Sequence, residues 1–537
     1  MSTDVIRPVF AKISDYVFHH ASTRPDAEAI VWKDQRISYT GFAQQVEVLS
    51  RALIAHGIGR GDRIALLGMP RPEFIIVMMA AVDIGAIWMG MHPRYKLAEF
   101  RHVVELASPS LIFAYDEIDG RNYVEELCTL KDEYQSVQQV IVFDQPQPGV
   151  GISLEQFLQS SAQTSDAAWL AARNQVETDD SAVIIFTSGT TGRPKGAQNS
   201  HYGLVHCAHI ELSRWPGDNM RVLQNMPINH IANIGMMSAV CLVAGGTLVM
   251  MERFDPAELL QTIEREKITF WLQSPVMFHM AVSHKDFATT DLSSLEYLIW
   301  GGGPMPKHLV EQLQSLDINL AMAYGMTELT AYATYADQNA SAEVLANTIG
   351  RPEPRYDMRL MTEAGETPGA GEKGEIQARG RWLMNGYFNQ PEATADAYTA
   401  DGWFKTGDVA ELRQDGNWRL VGRTKEMYKS GGYNIYPREI EIAMEEHPGV
   451  AMTAVLGVAD EIYNEVGYAF VQPSPDATIS IEEIRHWCHQ RLANYKVPKT
   501  FEIMAELPTL PIGKIDKQGL RKRLDEGLDQ GLNHQQS

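Results

Sequence analysis

Cysteine is scarce in this chain. Four occur in 537 residues, Cys128, Cys207, Cys241 and Cys488, and no two have CxxC spacing. That scatter excludes a disulfide framework and matches the reduced thiols of a cytoplasmic protein. Cationic charge is also short, with 46 Lys and Arg against 68 Asp and Glu and a net charge of −22. Such a balance gives no broad electrostatic footprint for nucleic acid or anionic lipid, so neither is an expected partner. The opening "MSTDVIRPVF" has no basic stretch leading into an apolar one, which argues against a targeting signal. One long apolar run, "FIIVMMAAVDIGAIWMGM" at residues 74–91, invites a membrane reading. Asp83 near its middle would be costly in lipid, and Gly85 divides a helix-like half from a strand-like half, so no integral span is expected. Internal repeats and long low-complexity linkers are missing as well.

What remains is a globular composition, 45% hydrophobic, in a chain long enough for roughly two to four domains. Helical and strand patterns alternate. Amphipathic "GFAQQVEVLSRALIAHG" precedes the strand candidate "RIALLG", and "MMSAVCLVAGGTLVMM" reads as helix, Gly-Gly break and strand. This punctuation predicts an α/β fold. "GEKGEIQARG" and "GNWRLVG" predict a β-rich segment at residues 355–422. Beyond residue 425, two helix candidates, "PREIEIAMEEH" and "SIEEIRHWCHQRLANY", flank the strand candidate "AMTAVLGVA", which predicts a small α+β domain. The polar tail "DEGLDQGLNHQQS" is expected to fray.

The stretch "FTSGTTGRPKGA", at residues 186–197, follows the apolar run "SAVIIF". With Ser200 placed to cap a following helix, it reads as strand–loop–helix. Glycine lets a ligand approach the backbone, exposed amides and Ser/Thr hydroxyls donate to phosphate oxygens, and Lys195 adds a point charge. A triphosphate suits such a loop. The Walker A spacing is absent, because Gly192 is followed by Arg193-Pro194-Lys195, and Phe186 stands where GxSxG would need glycine.

The loop resembles the phosphate-binding signature of the adenylate-forming superfamily. "PINHIANIG", "GGGPMP", "AYGMTE", "GWFKTGD", "GRTKEMYKSGGYNIYPREIE" and "LPIGKIDK" follow in that family's order, so the resemblance runs over residues 39–517. It implies a large N-terminal domain, residues 1–424, of α/β layers with a small β-barrel-like part. A small mobile α+β domain, residues 425–537, would follow. ATP, Mg2+ and coenzyme A are the implied cofactors.

By the same resemblance, Thr187, Ser188, Gly189, Thr190, Thr191, Gly192 and Lys195 hold the phosphates. Gly302, Gly303 and Pro304 lie against the adenine, with Gly303 where many relatives carry alanine. Tyr324, Gly325 and Met326 border the nucleotide: Tyr324 stacks on the base, Thr327 donates to the α-phosphate and Glu328 holds the metal. Asp408 accepts from both ribose hydroxyls, a task suited to two carboxylate oxygens. Arg423 contacts the nucleotide and Lys425 is the hinge. Ser430, Gly431 and Gly432 line the pantetheine channel, and Tyr433 replaces a glutamate common in relatives. Lys514 is the implied adenylation lysine.

"PINHIANIGMMSAV" contains no aspartate to pair with an amino group, so an amino acid substrate is disfavoured. Twenty residues after Lys517 leave no room for a carrier domain, and free coenzyme A is the expected acceptor. By resemblance His230 is the gate between acyl tunnel and nucleotide. Ile231, Ala232, Ile234, Gly235 and Met236 suit an apolar acyl body, with Asn229 and Asn233 offering polar contacts. Two histidine clusters, His201/His206/His209 and His486/His489 with Cys488, show no ligand convergence and are not read as metal sites. The expected activity is ATP-dependent synthesis of an acyl-CoA from a small-molecule carboxylic acid. A luciferase-type oxygenase shares the fold, and a non-catalytic nucleotide sensor is the rival from another class. Nothing here fixes the oligomeric state, a homo-oligomer included.

Overall fold

Parallel strand pairing dominates where helix and strand patterns alternate in the sequence. The structure is a computed structural model that describes residues 9–187, 194–217, 219–338, 340–475, 477–510 and 515–534. Two compact units result, the first comprising Met1–Gly302, Leu313–Asn339 and Arg379–Tyr398, and the second Gly303–Gln312, Ala340–Ala378 and Thr399–Ser537.

The first unit holds two large sheets. One runs, in spatial order, Tyr332–Tyr335, Asn319–Gly325, Tyr297–Trp300, Phe270–Gln273, Arg221–Gln224, Thr247–Met250, Glu28–Trp32 and Gln35–Ser38. The pairs of Asn319–Gly325 with Tyr332–Tyr335 and of Glu28–Trp32 with Gln35–Ser38 are antiparallel, and those between them are parallel. The other runs Gly386–Tyr387, Lys195–Ser200, Ser181–Thr187, Ile87–Met91, Arg63–Leu67, Leu111–Ala114, Gln139–Val142 and Ile152–Ser153. Strands buried on both faces read as near-continuous apolar runs, as "RIALL" and "YLIW" do.

The apolar run at residues 74–91 is a helix, Pro72–Asp83, a turn at Gly85 with φ 78°, and the strand Ile87–Met91. Asp83 is fully buried and accepts hydrogen bonds from Arg173 Nε at 2.9 Å, Ser14 Oγ at 3.0 Å and Trp169 Nε1 at 3.2 Å. Burial raises its carboxyl pKa, and the charges of Arg173 and Lys12 act against that rise. Among the described residues no helix is long and apolar enough to cross a membrane. All four cysteines are free.

One expectation for the second unit changes. Strands Asp357–Met361, Lys373–Arg379, Phe404–Leu412 and Trp418–Arg423 form an open four-stranded sheet rather than a closed barrel-like part. Four strands alternating with polar loops leave too few to curl back on themselves. Farther along, Val450–Asp460 pairs with Asn464–Pro473 in a long antiparallel hairpin, and Thr500–Ile503 joins the latter in parallel. Helices Pro437–Glu445 and Ile481–Arg491 bury Ile440, Met444, Ile484 and Cys488 in one cluster of this sheet. Leu520 of Lys517–His534 joins Leu456 and Phe470 in another. The helix runs on into the polar tail as far as His534.

A buried ion cluster supports this part of the chain. Glu441, 2% exposed, accepts from Lys517 Nζ at 2.8 Å, Arg438 Nη1 at 3.2 Å and the Val455 amide at 2.9 Å. Burial alone would raise its carboxyl pKa. Lys517 and Arg438 reverse this and hold it below the ordinary 4.5. A depressed carboxyl contributes stability above its unfolded pKa and loses it as pH falls through the folded one. Glu441→Gln takes a buried carboxylate from two cations, leaving Lys517 to Glu426 and Arg438 to Glu445, and should cost about 1–3 kcal/mol at neutral pH. In thermal melts of both proteins over an acid-to-neutral series, the gap in Tm should narrow below about pH 4.5. A gap that stays constant or widens toward acid contradicts this account.

Candidate active site

The strand Ser181–Thr187 does not pass straight into a helix. It forms an antiparallel hairpin with Lys195–Ser200, Thr187 facing Lys195 as the last pair, and only then does the helix His201–Arg214 begin. This corrects the strand–loop–helix reading. "KGAQNS" lacks β-branched and aromatic residues, so its strand state comes from its neighbours rather than from propensity. Ser200 still caps the helix, accepting from the Gly203 amide at 3.0 Å. Ser188, Gly189, Thr190, Thr191 and Gly192 lie outside the described residues, as does Lys514.

In the first unit, several expected residues come together beside this hairpin. Tyr324 and Gly325 end the strand Asn319–Gly325, and a Cβ on Gly325 would lie 2.0 Å from the Ala331 carbonyl oxygen, so only glycine fits. Met326 precedes a single 3-10 turn, Thr327–Leu329, in which Thr327 is 7% and Glu328 5% exposed. Thr330 closes the turn with φ 63°, a conformation that β-branched residues avoid. Asn199 from the hairpin donates through Nδ2 to Thr327 O and to Thr330 Oγ1, both at 2.9 Å, and Thr330 Oγ1 donates to Trp382 O at 2.8 Å. Tyr387 bridges the rest: its hydroxyl donates to Glu328 Oε1 at 2.9 Å, and Lys195 Nζ sits 4.6 Å from its ring centroid. Asn199, Thr330 and Tyr387 carry no local signal in the sequence.

His230 is half-buried at the start of a π-helix, Ala232–Ala239. Its Nδ1 accepts from the Ala232 amide at 3.1 Å, which puts the proton of a neutral ring on Nε2. Such π-turns cluster at functional sites. Ile231, Ala232, Ile234 and Met236 are all buried, and a Cβ on Gly235 would stand 2.7 Å from Thr330 O. Asn229 reaches Tyr95 Oη at 3.3 Å. Asn233 does not offer the expected ligand contact, because its Oδ1 accepts from Gln224 at 2.8 Å and its Nδ2 donates to Met226 O at 2.5 Å. Gly301 is pressed by Tyr332, and Gly302 has φ 76°.

In the second unit, Gly303 is half-buried and Pro304 exposed. Asp408, 4% exposed, lies opposite Arg423 in the sheet and accepts from its Nε at 2.8 Å. Lys425 is exposed in a turn closed by bonds from the Glu426 and Met427 amides to Arg423 O. Gly431 and Gly432, with φ 55° and 85°, are the two central residues of a hairpin in which Ser430 pairs with Tyr433. Such a turn needs φ > 0 at both positions, so local geometry already accounts for the glycines. The segment around Lys514 is tied at both ends, by a bridge between Thr509 and Ile515 and by Lys517 on Glu426 at 2.6 Å and Glu441 at 2.8 Å.

The model of the family described as AMP-binding enzyme matches residues 17–388, and that of the AMP-binding enzyme C-terminal domain matches residues 439–514. The chain is 33% identical over 512 residues to a feruloyl-CoA synthase of Amycolatopsis sp, which covers 95% of this chain and 99% of that protein. It is also 33% identical to the indoleacetate–CoA ligase of Aromatoleum aromaticum, covering 95% and 98%. Its fold is similar to that of ATP-bound MatB from Rhodopseudomonas palustris, with a TM-score of 0.84, 25% identity and coverage of 96% and 98%.

Because Asn199 supplies both donors to the strained turn from a fully buried position, Asn199→Ala should destabilise the protein by about 1–3 kcal/mol. Urea unfolding would show this as a lower midpoint at unchanged slope, and an unshifted midpoint would remove Asn199 as the support of the turn.

Proposed function

The chain belongs to the AMP-binding enzyme family and is an AMP-forming acid–thiol ligase, and we propose that its acid is a medium-to-large apolar monocarboxylate, fatty, aromatic or alicyclic. The observation that carries the activity is similarity along 95% of the chain to proteins named for making CoA thioesters. The apolar wall of Ile231, Ala232, Ile234 and Met236, with no cation among residues 228–240, supports the choice of acid.

In this reading the acid's carboxylate oxygen attacks the α-phosphorus of ATP and pyrophosphate leaves. The thiolate of coenzyme A then attacks the acyl carbon of the adenylate and AMP leaves. Lys195 and the loop before it hold the phosphates, Thr327 donates to the α-phosphate, and Asp408 with Arg423 receives the ribose side of the nucleotide. His230 gates the acyl path. Magnesium fits the donor set, since Glu328 is a nearly buried carboxylate fixed through one oxygen by Tyr387. Bound there it would supply neutralisation of phosphate charge. The catalytic part at residues 1–424 and a mobile domain at residues 425–537 divide at Lys425. Lys514 serves the first half-reaction and the Ser430–Gly431–Gly432 turn the second.

With ATP, magnesium, coenzyme A and a panel of acids, the products should be acyl-CoA, AMP and pyrophosphate. The highest kcat/KM should fall on an apolar acid rather than on acetate or an amino acid. Formation of ADP and phosphate would refute the chemistry, and acetate at the head of the panel would refute the pocket reading.

Lys514→Ala should remove a charge-assisted contact worth on the order of 3 kcal/mol in the adenylation transition state, ~10²-fold or more in rate. Supplied with pre-made acyl-adenylate, the same variant should form thioester at near wild-type rate. Lys425→Pro should do the reverse, because proline holds one backbone conformation where the hinge needs two. Equal loss in both half-reactions for Lys514→Ala would overturn the assignment.

A further inference from the structure

Four buried polar atoms without a hydrogen-bond partner among the described residues gather at one edge of the larger parallel sheet: Asn225 Nδ2, Gln273 Oε1, Ser274 Oγ and Trp300 Nε1. Register brings them there. Gln273 faces Trp300 across two parallel strands, and Val222 opposite Phe270 carries Asn225 level with Gln273. A hydrogen bond from Gln273 Nε2 to Asn225 Oδ1 confirms that they meet. Aligned positions on neighbouring strands present their side chains to one face, so Asn225, Gln273 and Trp300 share it. Met322, opposite Trp300, continues the row, and Tyr324 follows two residues on. Ser274 heads the helix Pro275–Val282, yet its side chain makes no capping bond.

Gln273 and Trp300 end their strands and Asn225 follows the end of its own, so this is a carboxyl edge, where open parallel α/β sheets bind ligands. Asn225 is 5%, Gln273 1% and Trp300 0% exposed. Groups this deep are normally paired, and several unpaired ones side by side call for a partner from outside the chain. Exchanging O and N in the Asn225–Gln273 pair leaves the same outward set, one amide N–H2 and one C=O. Added to the indole N–H and the serine hydroxyl, this makes a neutral set rich in donors.

Resting on the acyl-CoA synthetase reading, we infer that this edge forms the far wall of the acyl site and receives a neutral oxygen substituent carried by an otherwise apolar acid. A substrate carbonyl accepts from Trp300 Nε1, Asn225 Nδ2 or Ser274 Oγ, and a substrate hydroxyl also donates to Gln273 Oε1. The four groups carry no charge, so a second carboxylate is not the ligand.

The test pairs para-hydroxyphenylpropanoate with phenylpropanoate, and a fatty acid ending in a methyl ketone with its parent acid, in the full reaction with ATP and coenzyme A. Wild-type protein should favour each oxygenated acid by about tenfold or more in kcat/KM, because a site built to pair a substrate group rejects the analogue lacking it. Trp300→Phe and Gln273→Met, which remove the polar atoms and keep apolar side chains there, should each bring that ratio toward one. Wild-type indifference, preference for the parent acids, or a ratio kept in both variants would overturn the inference and leave ordered water as the partner. Good turnover of the parent acids without preference sinks this inference alone, whereas absence of AMP and thioester with every acid sinks the synthetase reading with it.

Discussion

One amide joins two distant pieces of the chain and the rest of the first unit closes on it. Asn199 Nδ2 forks to Thr327 O and Thr330 Oγ1, and Thr330 passes the bond on to Trp382 O. Thr330 is fully buried at φ 63°. A β-branched residue keeps such an angle only where its surroundings over-determine it. They do so here by close approach. A Cβ on Gly203 would lie 3.1 Å from Thr330 Oγ1 and one on Gly235 2.7 Å from Thr330 O, so the helix after the hairpin and the π-helix after His230 both pack at glycine against the same threonine. In a low-dielectric interior each bond of this relay depends on the others. Thr327 and Glu328 therefore inherit their positions from a hairpin more than a hundred residues earlier in the chain.

This explains what could be read in the sequence and what could not. Local chemistry was legible: the cap at Ser200, the break at Gly85, the strand "SAVIIF" and the helix "PREIEIAMEEH" follow from neighbours within a few residues. The strand Lys195–Ser200 was not, because its hydrogen bonds come from Ser181–Thr187 on one side and Gly386–Tyr387 on the other. Tyr387 illustrates the same limit. Its partners Glu328 and Lys195 are distant in sequence, so only the fold shows that one ring and one hydroxyl serve both. The Gly431–Gly432 pair shows the opposite case, in which a functional expectation and a plain turn requirement point to the same residues.

Each unit buries a carboxylate against cations. Asp83, which argued against a membrane span, is buried against Arg173, Ser14 and Trp169, a cluster whose members come from three separate helices. In the second unit the Glu441 cluster ties the start of the last helix, through Lys517, to the helix Pro437–Glu445. Replacing either carboxylate would leave the cations their second partners, Asp15 in one cluster and Glu426 and Glu445 in the other. Both clusters thus join helices that also pack through apolar side chains.

The Lys517 tie also bears on how a lysine at position 514 could serve one half-reaction and then withdraw. Five residues separate Thr509 from Ile515, which are bridged. Two residues beyond the bridge, Lys517 is held by Glu426 and Glu441. Under the proposed use of Lys514 in one half-reaction, its withdrawal would be a motion of the body that carries Thr509 and Ile515. The turn at Lys425 suits that demand. It is exposed, and amide bonds from Glu426 and Met427 to Arg423 O close it, whereas a backbone change inside the Glu441 cluster would disturb buried charge.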